Sequence, residues 1–162
     1  MHTLLRPLAA LLFLAACTQT TAPSQADLAA AETGAVALVN EWAATGSEGR
    51  WDDLVPLYGD LPGFTWVEQG EIRYADQAAI AAGVAQARDS RLTVRTTVSD
   101  VRATALAADA AAVRANVSIV FGDPAAGGFV FNGMLTGVAV EREGRWVFLQ
   151  GHLSAPQPRG EP

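Results

Sequence analysis

The period of the apolar residues changes along this chain, and that change restricts the available folds more than any other feature. In the first part apolar side chains recur at helical spacing. Leu28, Ala31, Ala35, Leu38, Val39 and Trp42 fall on one stripe, which predicts a helix over 27–44 ended by Gly46. Trp51, Leu54, Leu57 and Tyr58 share the face of a shorter second helix, limited by Pro56. Phe64 to Glu68 and Glu71 to Tyr74 flank a Gln69-Gly70 turn and read as a short hairpin. Asp76 then suits the N-cap of a third helix over 77–88, with Ile80, Val84 and Ala87 on one face. Beyond it the period is that of strands, in four runs over 92–104, 111–121, 129–141 and 146–154. The second run alternates Val113, Ala115, Val117, Ile119 and Phe121 against Arg114, Asn116 and Ser118. The last puts Trp146, Phe148, Gln150, His152 and Ser154 on one face by strict alternation. Helices first and an antiparallel meander last predict an α+β domain, its three N-terminal helices packed on one face of an antiparallel sheet.

The first residues carry a different signal. Arg6 and the free amine precede the uncharged apolar run Leu8 to Ala16, too short to span a bilayer but suited to the core of a secretory signal. It closes in Leu14-Ala15-Ala16-Cys17, which resembles the lipobox of bacterial lipoproteins. That resemblance implies cleavage after residue 16 and palmitate-type acylation of Cys17. Two or more acyl chains hold a protein stably to a membrane. Thr18 rather than Asp follows the cysteine, which by the same analogy favours the outer membrane, facing the periplasm. The expected organisation is a signal peptide over 1–16, a lipidated Cys17 and tether over 17–26, a folded domain over 27–154 and a Pro-rich disordered tail over 155–162.

Composition narrows the chemistry. With one Cys, consumed by lipid, there is no disulfide framework and no thiolate nucleophile. Metal binding needs several clustered ligands, and His152 is the sole histidine after the signal segment, so neither a metal nor a cofactor is expected. A formal charge of −6 without any basic cluster argues against nucleic acid. His152 is the candidate proton-transfer residue, since an unperturbed imidazole titrates near ~6.5. A catalytic role would require a carboxylate beside it. Asp52, Asp53 and Asp60 lie on or near the second helix, although capping or solvating the helix ends suits Asp53 and Asp60 better.

The element order is similar to that of the nuclear transport factor 2-like superfamily, which includes SnoaL-type polyketide cyclases, ketosteroid isomerases and scytalone dehydratase. The resemblance is carried by Trp51-x-x-Leu54-x-x-Leu57-Tyr58, Gly70-Glu71-Ile72-Arg73, Ala79-Ile80, Gly144-Arg145-Trp146-Val147-Phe148 and His152-Leu153-Ser154. It implies a sheet curved into a cone whose interior is a cavity closed by the helices. Tyr58, Trp66, Tyr74, Gln150 and His152 are the expected lining. The reading that follows is an envelope lipoprotein with a non-catalytic domain for a small apolar or amphipathic molecule or a protein partner. Two alternatives stay open: a cyclase, isomerase or dehydratase using His152 with a carboxylate, and a structural module that forms a homodimer through its open sheet face.

Overall fold

The computed structural model describes residues 22–91, 93–123 and 126–156. The expected signal segment, Cys17 and the end of the chain beyond 156 lie outside the described residues. In chain order the elements are α1 (Gln25–Ser47), α2 (Trp51–Leu54) running into a 3-10 turn (Val55–Leu57), the hairpin β1 (Thr65–Glu68) and β2 (Glu71–Tyr74), α3 (Gln77–Asp89), and the strands β3 (Val94–Ala107), β4 (Ala110–Phe121), β5 (Phe129–Arg142) and β6 (Arg145–Ser154). No helix among the described residues is long and apolar enough to cross a membrane.

Helix α1 begins two residues before the expected domain boundary because a capping box starts it. The Ser24 side chain accepts from the Asp27 backbone N–H, and the Asp27 carboxylate accepts from the Ser24 N–H at 2.9 Å. It also runs past Gly46, which is helical and buried. The left-handed residue that ends it is Gly49, at φ 67°. The second helix is shorter than expected. Pro56 sits in the 3-10 turn, and Tyr58 is already extended and bridged to Phe148. Asp76 caps α3 as expected, accepting from the Ala79 N–H at 2.7 Å. Gln69 and Gly70 form the hairpin turn, both at positive φ.

The six strands form one sheet in the order β2-β1-β6-β5-β4-β3. The sheet is antiparallel as expected except at one pair, where β1 runs parallel to β6. A short turn forces its two strands to be antiparallel, whereas β1 and β6 are joined through α3 and four other strands, which leaves their relative direction free. One face packs on α1: Val113, Ala115 and Val117 of β4, Leu135 and Ala139 of β5 and Phe148 of β6 are buried with Leu38, Val39 and Trp42. The opposite face presents neutral polar side chains, among them Thr97, Ser99, Asn116, Asn132 and Thr136, which are exposed.

Strand β3 is an edge of this sheet, and an uncovered edge offers unpaired backbone groups. Helix α1 supplies partners for two of its N–H groups. The Ser47 hydroxyl accepts from the Thr96 N–H at 2.7 Å, and Glu32 Oε1 accepts from the Ala105 N–H at 3.2 Å. Ser47→Ala orphans a part-buried N–H and is expected to lower stability by about 1–3 kcal/mol, read as a fall in the urea midpoint. An unchanged midpoint would show that water replaces the hydroxyl without cost.

Candidate functional site

The last strand decides which side chains reach the interior. Ala139 pairs with Phe148 while Val138 pairs with Gln150, so Leu149 is an extra residue in β6. A bulge of one residue moves everything after it to the other face. Leu153 and Gly151 therefore point inward with Phe148, and Gly151 lies directly under the Trp66 ring, where a Cβ would collide with it. Gln150 and His152 point outward, His152 opposite Thr136 on β5 and Val67 on β1. The expectation that Gln150 and His152 line the cavity is thus corrected: strict alternation from Trp146 fails at Leu149. The His152 Nε2 is buried on the outer side with no hydrogen-bond partner among the described residues.

Tyr58, Trp66 and Tyr74, the other three expected lining residues, do come together. They border a cavity of about 160 Å³ between the C-terminal end of α1, α2, α3 and the ends of β3 and β4. Trp42, Trp51 and Phe121 complete an aromatic wall, with Ile80 and Val84 of α3 closing one side. A cavity of roughly ~150 Å³ with apolar walls takes up benzene, so this space suits a single ring or a branched group of similar bulk. It is smaller than the ~300 Å³ at the low end of pockets for drug-sized ligands. A larger depression, about 630 Å³, lies on the outer face, but its lining of residues such as Thr97, Asn116, Asn132 and Ser154 holds no titratable side chain.

Two polar devices stand in the aromatic cavity. Trp42 Nε1 donates to the Tyr58 hydroxyl at 2.7 Å, a buried bond that ties α1 to the segment after α2. Burial pushes the Tyr58 hydroxyl well above its ordinary value. The Trp42 hydrogen bond opposes that shift, and the nearby Tyr74 and Glu68 reinforce it. Tyr58 therefore remains a neutral hydroxyl throughout the physiological range. Second, Glu68 turns inward, two residues after Trp66 on β1, and its Oε1 accepts from Trp66 Nε1 at 3.2 Å. Sequence reasoning missed Glu68, although the alternation Phe64, Trp66, Glu68 carried the signal. Asp52 and Asp53, considered there as carboxylate partners, have side chains 96 % and 63 % exposed. Asp60 is exposed as well, and none of the three lines the cavity. Among the described residues no cluster of three or more potential ligands could hold a metal.

Solved structures described as NTF2-like or as having a cystatin-like fold share this arrangement of helices and a curved sheet. A candidate scytalone dehydratase from Novosphingobium aromaticivorans superposes with a TM-score of 0.67 at 12% identity, over 77% of this chain and 83% of that one. An NTF2-like protein of unknown function from Pseudomonas putida gives a TM-score of 0.65 at 16% identity, over 79% and 88%. A candidate calcium/calmodulin dependent protein kinase II association domain from Xanthomonas campestris gives 0.62 at 18%, over 76% and 86%. These likenesses concern the fold. The family model for the SnoaL-like domain matches residues 35–158, and the chain belongs to that family. No curated protein matches it.

Tyr58→Phe leaves the buried Trp42 indole N–H without its acceptor and is expected to cost about 1–3 kcal/mol at pH 7. The same residue sets an alkaline limit. Its folded value is raised, so its contribution is fully present below the ordinary tyrosine value near 10 and is lost as pH rises above it. The chain contains no Lys, which leaves few other groups titrating there. Urea midpoints at pH 8 and pH 11 should fall more steeply for the wild type than for Tyr58→Phe; equal slopes would place the alkaline sensitivity elsewhere.

Proposed function

We propose that this chain is an envelope lipoprotein, held to the membrane by lipid on Cys17, whose SnoaL-like domain binds one small apolar or amphipathic molecule without turning it over. The observation that carries the binding role is the cavity of about 160 Å³ walled by Trp42, Trp51, Tyr58, Trp66, Tyr74 and Phe121. Aromatic walls reward apolar contact, and two or three inward polar groups orient a ligand. The non-catalytic reading is supported by the orientation of His152, whose ring lies across the sheet from the cavity. It is supported too by Tyr58, whose raised pKa suits a hydrogen-bond donor and not a base. The address is supported by the Leu14-Ala15-Ala16-Cys17 sequence after its apolar run.

Phenol is a suitable single-ring probe. It should quench the tryptophan fluorescence saturably, and Ala87→Leu, which narrows the cavity from α3, should weaken that binding by about tenfold or more while the melting temperature holds. Unsaturable quenching, or indifference to Ala87→Leu, would remove the cavity as a binding site. For the address, labelled palmitate should enter the wild type and not Cys17→Ser, and the variant should leave the membrane fraction. Equal labelling would refute the anchor.

A further inference from the structure

We propose that the molecule held in the aromatic cavity is a small organic cation, an amine or quaternary ammonium of roughly six to seven heavy atoms, with its charge beside Glu68. The inference rests on the cavity being a binding site, as proposed above, and specifies what kind of molecule enters it.

The charge inventory of the cavity is one-sided. Glu68 lines it, and no Arg or His does. Among the described residues the Glu68 carboxylate has no ion pair, and its hydrogen bond is the one from Trp66 Nε1. A neutral apolar occupant would strip water from that carboxylate and return nothing, which is unfavourable. An anion would be repelled by it. A cation supplies the missing partner, and the surrounding walls suit it equally well. The faces of indole and phenol rings are electron-rich, and cations within about 6 Å of a ring centre are attracted to them, most strongly where water is excluded. Trp42, Trp51, Tyr58, Trp66 and Tyr74 all border this space. One of these rings already attracts a cation, since the exposed Arg73 guanidinium lies 5.5 Å from the centre of the Tyr74 ring. The net charge of −6 favours approach of a cation over an anion.

Choline and its uncharged isostere 3,3-dimethylbutan-1-ol share a shape and differ in charge, so the pair isolates the proposal. The full chain in maltoside micelles is titrated with each by calorimetry and tryptophan fluorescence, with phenol as the reference ligand. Choline is expected to bind at least about tenfold tighter than the alcohol. Glu68→Gln is expected to bring choline down to the level of the alcohol, and to leave the alcohol bound at least as tightly as in the wild type, since no carboxylate is then desolvated. Equal affinity for choline and the alcohol, with phenol still saturable, overturns the cation and leaves the binding cavity standing. Failure of all three ligands overturns both. If Glu68→Gln does not fold, the comparison of the two isosteres on the wild type still decides.

Discussion

The interior of this protein depends on the seat that Gly151 offers to Trp66. Trp66 is among the largest fully buried side chains, and its ring occupies the space where a side chain at 151 would stand. From that position it meets Trp42 of α1 at 6.0 Å between ring centres, Tyr58 at 5.0 Å and Phe148 of β6 at 5.5 Å. Edge-to-face and tilted contacts of this kind add to the apolar area that each ring removes from water. One ring thereby joins the hairpin strand β1, the first helix, the segment after α2 and the last strand. The parallel pairing of β1 with β6 brings Trp66 opposite Gly151 in the first place.

The same cluster shapes the cavity. Trp42, Tyr58 and Trp66 belong both to the core and to the lining, so the cavity wall is built from side chains that the fold itself holds in place. Their polar atoms are committed to each other or to Glu68: the Trp42 indole to Tyr58, the Trp66 indole to the carboxylate. Preorganised groups of this kind lose little freedom when a ligand arrives. Membership of the SnoaL-like family and a shared fold do not choose among the activities such folds carry. The chemistry depends on the side chains that face the cavity: aromatic rings, aliphatic groups and the Glu68 carboxylate, which has no ion pair among the described residues.

Much of the architecture was legible along the chain because it rests on local physics. Helical spacing from Leu28 to Trp42 marked α1, Asp76 marked the start of α3, and the Gln69-Gly70 turn separates β1 from β2 where the positive φ values fall. Three of the five expected lining residues, Tyr58, Trp66 and Tyr74, border the cavity, since each sits on a short element whose face is set by neighbours in sequence. Gln150 and His152 do not, and Glu68 takes the place of the polar group they were expected to provide.

Periodicity and turn chemistry determined the order and kind of the elements, for these depend on residues a few positions apart. Tertiary structure alone decided the face on which β6 ends and the direction in which β1 joins it. The extra residue at Leu149 shows in the register with β5 and not in the alternation of β6 itself. That register is fixed by Phe148 and Leu153 both being drawn into the core, a demand made by partners from α1, β1 and β5. A pattern of period two cannot record such a shift, and one residue of slippage was enough to turn Gln150 and His152 away from the cavity.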